Sequence, residues 1–214
     1  MVLITGATGK QGGAVVDALL ESPQAKQFTI LAVTRNPESP SAQKLKSRGV
    51  NVITGDLNDV PSIFQNAKTV VNQPIWGVFS VQIPAGKGAT VHTEEAQGKA
   101  LVDGAVANEV KMFVYTSVDR GGDEKSPDNA TPIPHFISKY NVEKHLIEKA
   151  KGAGMDWCIL RPVAFMDVGS SLLFCQDVGM IANVCRTSHR TSWARVLRQC
   201  GKWVSKRSAY NSLL

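Results

Sequence analysis

Apolar residues along the first 160 or so positions alternate between short β-branched runs and helical spacings. Val2, Leu3 and Ile4 form the first run. Three glycines follow, Gly6, Gly9 and Gly12, and then Val15, Val16, Leu19 and Leu20 recur at three- and four-residue intervals. Phe28–Thr34, Asn51–Thr54, Thr69–Asn72, Met112–Thr116 and Trp157–Leu160 predict five more strands. Ser41–Arg48, Glu94–Asn108 and Phe136–Ala150 predict helices, and Asp59 before Val60-Pro61 is placed to cap another. Gly77 to Thr90 reads as irregular, and the proline-rich stretch from Pro127 to Pro134 as extended and exposed.

Strands alternating with helices, joined by right-handed crossovers, predict an α/β fold: a Rossmann-type doubly wound parallel sheet in the order 3-2-1-4-5-6. A strand, a G-x-x-G-x-x-G turn and a helix are the arrangement that receives a dinucleotide pyrophosphate. The glycines let the backbone approach the phosphates, and the first N–H groups of the helix face the negative charge. The alternative is a glycine-rich turn with no ligand. An NAD-specific fold places an acid about 20 residues further on, against the ribose 2′-hydroxyl. Here the second strand ends Thr34-Arg35-Asn36-Pro37. A guanidinium suits a 2′-phosphate, so Arg35 points to NADP(H); otherwise it is a solvated arginine. After the third strand, Asp56 and Leu57 are placed to meet an adenine, or Asp56 simply belongs to the turn before the next helix. The expected fourth strand puts Gln73, Pro74 and Ile75 at the carboxyl edge of the sheet, where ligands sit.

Composition changes the picture in one place. The net charge of +6 is carried by residues 168–214, where seven Lys and Arg face Asp177 alone, so residues 1–167 are balanced. No apolar run approaches the roughly 20 residues of a membrane span. The first strand starts at Val2, which leaves no room for a leader and points to a cytoplasmic or nuclear location. Cys158, Cys175, Cys185 and Cys200 have no metal-type spacing and are expected as thiols; no metal site is expected.

Short-chain dehydrogenases carry a Tyr four residues before a Lys on one helix, with a Ser that steadies the substrate carbonyl. Here Lys139 has His135 at that spacing, and Tyr140 points elsewhere. Ser117 and His135 are candidate catalytic groups with Lys139, the imidazole standing in as proton donor. The plainer reading has Lys139 holding a ribose and His135 as a polar residue beside the pocket.

The words T-G-A-T-G-K-Q-G-G, T-R-N-P, G-D-L-N-D, E-E-A-Q-G-K, Y-T-S-V-D-R-G-G, P-H-F-I-S-K and L-R-P-V-A-F-M-D resemble, in combination, the NmrA-like branch of the atypical short-chain dehydrogenases/reductases. The resemblance covers residues 1 to about 167. It implies NADP(H) binding with a preference for the oxidised form, and a redox-responsive regulator acting through protein partners such as GATA-type transcription factors. Direct nucleic-acid binding is not expected, and many members lack the tyrosine. Carried onto this chain, the dinucleotide contacts fall on Gly6, Ala7, Thr8, Gly9, Lys10, Gln11, Gly12, Arg35, Asp56, Leu57, Gln73, Pro74, Ile75, Lys139, Phe165 and Met166. The competing reading is an NADPH-dependent oxidoreductase of small carbonyl or quinone compounds.

After Asp167 the family continues with an Asn and a second lobe over the nicotinamide. Here Val168 follows, and residues 168–214 hold no proline and three of the four cysteines. Trp193, Val196 or Leu197, Cys200 and Trp203 or Val204 recur at helical spacing among basic residues, which suits an anionic surface. The alternative is a poorly ordered tail from an altered splice or reading frame. Loss of the second lobe predicts an uncovered sheet edge and weakened NADP affinity.

Overall fold

The computed structural model describes residues 1–23, 28–70, 72–82 and 90–162, together with the backbone of 181–186. Strands β1 (Val2–Ile4), β2 (Ile30–Thr34), β3 (Asn51–Thr54), β4 (Gly77–Ser80), β5 (Met112–Thr116) and β6 (Asp156–Pro162) pair in parallel in the order 3-2-1-4-5-6. A seventh strand, β7 (Ile181–Arg186), runs antiparallel to β6. The edge of β6 is therefore paired, not open as expected. Cys158 is disulfide-bonded, against the expectation of four thiols. The rest of the 168–214 stretch lies outside the described residues.

Among the described residues five helices cover the sheet: α1 (Lys10–Glu21), α2 (Pro40–Lys46), α3 (Val60–Val70), α4 (Val91–Ala107) and α5 (Pro134–Ala153). Helical spacing selects the buried stripes. Val60, Ile63, Phe64 and Ala67 of α3, Leu101, Val102 and Ala105 of α4, and Val142, Leu146 and Ala150 of α5 share one core with Leu3, Phe113 and Ile159. Val15, Val16 and Leu19 of α1 and Leu45 of α2 share the other, with Val2, Ile4 and Ala32. Asp59 caps α3 as expected, accepting from Ser62 N–H at 3.4 Å and Ser62 Oγ at 2.5 Å.

One strand is misplaced by the sequence pattern. Thr69 and Val70 are the last turn of α3, and Val70 is exposed. The true β4 is four buried residues opening on Gly77. Gln73, Pro74 and Ile75 therefore precede the strand, at its amino end. The terminal amine of Met1 donates to the Pro74 carbonyl (3.0 Å), and Trp76 N–H donates to the Met1 carbonyl (2.8 Å). These three residues lie across the sheet from the glycine turn. Val81 and Gln82 stand at the carboxyl edge where Gln73, Pro74 and Ile75 were expected.

Candidate functional site

The carboxyl ends of the parallel strands present the glycine turn, Arg35, Asp56, Gln82, Ser117 and Arg161 along one edge. Gly6 has φ of +62°, a conformation that costs a side-chain-bearing residue about 1 kcal/mol or more. Gly9 N–H donates to the Gly6 carbonyl at 2.9 Å, closing the turn. Gly12 then passes so near that a Cβ there would sit 2.3 Å from the Gly6 oxygen and 2.7 Å from Ala7 N. The N-cap of helix α1 is Gly9, which makes no side-chain cap hydrogen bond to the first turn. Ala7 is buried, Gln11 half-buried, and Thr8, Gly9 and Lys10 exposed.

Arg35 is exposed just beyond the carboxyl end of β2, the position a 2′-phosphate requires. Asp56 and Leu57 are half-buried after β3. Asp56 accepts from Asn58 N–H at 2.9 Å, so at least one of its oxygens serves the turn. Phe165 and Met166 lie outside the described residues.

The three candidate catalytic residues fall on two buried acids, Ser117 on Glu143 and His135 with Lys139 on Glu94. Ser117 is buried, and its hydroxyl donates a short hydrogen bond to Glu143. Glu143 is itself gripped by two guanidiniums. Arg161 Nε and Nη2 donate at 3.1 and 2.7 Å, and Arg120 Nη1 and Nη2 at 3.0 and 2.8 Å. Burial alone raises the Glu143 pKa, but the bonds from Arg161, Arg120 and Ser117 outweigh it and hold the carboxyl below its ordinary range. Arg120 also ties down the loop that follows, donating to the carbonyls of Ser126 (2.7 Å) and Asn129 (2.8 Å).

His135 and Lys139 meet a different acid. Glu94, in the first turn of α4, has 0% exposure. Its Oε2 lies 2.8 Å from His135 Nδ1 and 2.7 Å from Ser138 Oγ, and its Oε1 lies 3.0 Å from Lys139 Nζ. Residues 135, 138 and 139 are spaced i, i+3, i+4 on α5, which stacks them on one face. Lys139 also donates to the Thr116 carbonyl at 3.0 Å and sits 5.2 Å from the centre of the Tyr115 ring. Burial lowers the Lys139 pKa, and Glu94 offsets part of that. The Tyr115 hydroxyl is driven well above its usual value by burial and by the two nearby carboxylates.

Four of these residues escaped the sequence reading as site groups: Glu94, Arg120, Glu143 and Arg161. A signal existed for Glu143, which lies on the buried stripe Lys139, Val142, Glu143, Leu146, Ala150 of α5. A charge on an apolar stripe requires a partner. Thr5 was also missed. Its hydroxyl accepts from Val81 N–H (2.8 Å) and donates to the Val81 carbonyl (3.0 Å), pinning the glycine turn to the end of β4. Among the described residues no group of His, Cys, Asp and Glu could hold a metal ion, and no helix is long and apolar enough to cross a membrane.

A family model described as the NmrA-like family matches residues 1–184, running past Asp167. The NmrA-like family domain-containing oxidoreductase ptmS of Penicillium ochrochloron is 34% identical over 120 residues, 55% of this chain and 34% of that protein. The oxidoreductase himF of Aspergillus japonicus, of the same description, is 32% identical over 158 residues, 73% of this chain and 44% of that protein. Among solved structures, the Citrobacter sp. triphenylmethane reductase complexed with NADP(H) matches with a TM-score of 0.60 at 23% identity, covering 78% of this chain and 50% of that one. The NADPH-dependent quinone oxidoreductase QOR2 of Escherichia coli, complexed with NADPH, matches with a TM-score of 0.59 at the same identity and coverage. At that identity the likeness is one of fold. The chain spans from 34% to 50% of the length of these proteins.

Proposed function

The chain belongs to the NmrA-like family, and from that premise we propose that it binds NADP(H) across Gly6–Gly12 and acts as a redox-sensing regulator with little or no turnover. The observation that carries the binding is the close approach of Gly12 to Gly6, where no side chain fits, beside a helix start whose N-cap is a glycine. Those residues fit a pyrophosphate, whose oxygens would take the N–H groups of the α1 first turn. Arg35 fits the 2′-phosphate, and the complexes of two solved neighbours with NADP(H) or NADPH agree with it.

Low turnover is favoured by where the polar groups point. Ser117 is spent on Glu143, and Lys139 on Thr116 and Glu94. No phenol stands four residues before Lys139. Such a protein would report the nucleotide's oxidation state to a protein partner, for example a transcription factor.

A second reading is an NADPH-dependent reductase of small carbonyl or quinone compounds. The chemistry a bound NADPH supplies is a hydride. The proton then falls to this chain, and the observation that favours the reading is the His135–Glu94 contact at 2.8 Å, the arrangement of an oriented general acid or base.

Calorimetric titration of the full chain tests the binding. NADP+ is expected to bind more tightly than NAD+, and Arg35→Glu to erase about 10- to 100-fold of that preference, the worth of a charge-assisted contact. A wild-type preference for NAD+, or no binding of either, overturns the reading. NADPH oxidation across a carbonyl and quinone panel separates the two roles: binding without steady turnover supports the regulator, and turnover abolished by His135→Ala supports the reductase.

A further inference from the structure

A carboxylate with no solvent contact needs donors on every side, or its burial costs several kcal/mol. Glu94 meets three groups, all from one face of α5: Ser138 Oγ donates to Oε2, His135 Nδ1 lies 2.8 Å from the same oxygen, and the Lys139 ammonium is in ion-pair contact with Oε1 at 3.0 Å. Its chain neighbour Glu95 is engaged by Lys99 at 2.5 Å and Asn141 at 2.9 Å. Glu94 is therefore the carboxylate that meets the imidazole.

We propose that Glu94 is a positioning residue that sets the tautomer of His135, locking the proton on Nδ1 and leaving Nε2 as the nitrogen that exchanges protons with the cleft. The Lys139 ammonium only donates. A carboxylate paired with it offers only lone pairs, so the imidazole nitrogen 2.8 Å from Oε2 carries the hydrogen. In the neutral ring Nε2 then holds a lone pair. Nε2 has no hydrogen-bond partner among the described residues, and the His135 side chain is 33% exposed whereas Glu94 is sealed. Protonation adds a hydrogen at Nε2, and its release to an acceptor in the cleft returns the ring to the same Nδ1–H form. One proton enters and one leaves, with Glu94 unchanged throughout.

The lysine sharpens the prediction. In Glu94→Gln the side chain has one oxygen. The ammonium at Oε1 claims it, which turns the amide NH2 toward His135 and Ser138. Nδ1 must then accept, and the ring proton moves to Nε2. An isosteric change far smaller than a truncation thus inverts the ring. Removing the ammonium as well, in Glu94→Gln/Lys139→Met, frees the amide to turn its oxygen back to Nδ1–H.

The inference deepens the reductase reading and rests on it only for the consequence in turnover. The ring itself is observed without dinucleotide. Nitrogen-15 NMR of the full chain with labelled histidine, the signal assigned by its loss in His135→Gln, reads which nitrogen is protonated in the neutral ring. Wild type is expected as Nδ1–H, Glu94→Gln as Nε2–H, and the double variant as Nδ1–H again. An Nε2–H ring in wild type overturns the proposal by itself, whether or not the variants fold, and so does a Glu94→Gln ring identical to wild type. Where wild type turns over, kcat in Glu94→Gln is expected to fall about 10²- to 10⁴-fold with KM little changed. A KM effect alone would mark a merely structural role. A wild type that shows the Nδ1–H ring yet neither binds nor oxidises NADPH leaves the tautomer assignment standing and removes only the function built on it.

Discussion

Gly12 and Gly6 are in backbone contact across the turn between β1 and α1: a Cβ on Gly12 would lie 2.3 Å from the Gly6 carbonyl oxygen and 2.5 Å from its carbon. No rotamer relieves such a clash, because both partners are main chain. Gly12→Ala must therefore displace the helix start from the turn. We expect dinucleotide affinity to fall at least about 10-fold, since phosphate contacts depend on N–H groups held in place. Gly13→Ala is the control. Its Cβ would meet only the Ala7 carbonyl at 3.4 Å, and inside a helix the exchange gains up to about 1 kcal/mol. Titration calorimetry and thermal melts of both variants check the pair; equal affinities would sink the role given to the close approach.

Glu143 lies between Arg120 and Arg161 with each of its oxygens receiving both guanidiniums. Glu143→Gln leaves two buried guanidiniums without their counter-charge and is expected to cost roughly 3–5 kcal/mol. The pH dependence follows from the lowered carboxyl pKa in the folded state. A group whose folded pKa is depressed stabilises fully above its unfolded value and loses that contribution as pH falls through the folded one. Wild-type stability should therefore decline from about pH 4.3 downward, and Glu143→Gln should remove part of that slope. Denaturant melts from neutral to acid pH measure it. A variant whose acid limb is as steep as wild type contradicts the assignment.

Gly98 of α4 faces Val142 of α5, where a Cβ would stand 2.7 Å from Cγ2 and 3.0 Å from Cγ1. Two effects of opposite sign compete in Gly98→Ala. Helix propensity gains about 1 kcal/mol, whereas overpacking of a rigid β-branched neighbour costs about 1–3 kcal/mol. We expect net destabilisation, with the melting temperature lower by a few degrees for a domain of this size. Val142→Ala makes room, so the double variant should be more stable than the sum of the two single changes. Additive changes would mean that the helices already have slack at this crossing.

Much of the frame was legible because it rests on local pattern. The bounds of β1, β3 and β5 are those read from apolar runs, and the parallel order follows from alternation and handedness. The fourth strand was misread because Val70 and Val71 look like a strand, while α3 simply continues into a solvent-facing last turn. The real strand is no longer than the expected one and opens on a glycine, so it carries less β signal than the helix end before it.

Charge partners were legible only in part. That Lys139 and His135 share a helix face follows from their spacing of four. That Glu94 lies beneath them, 41 positions away from His135, depends on how α4 and α5 dock. Likewise, Ser117 could be named as a hydroxyl at a strand end, but not that Glu143 and Arg120 would engage it.

The amino-acid order by itself determined the alternation of strand and helix, the glycine bend that admits a phosphate, and the family. The first two depend on interactions within a few residues of one another, and the family on words that need no fold to be read. Tertiary structure alone decided which carboxylate each cation received, and hence which groups remain for chemistry. A buried charge takes whatever partner the packing of two helices brings within about 3 Å, and sequence separation carries no record of that distance.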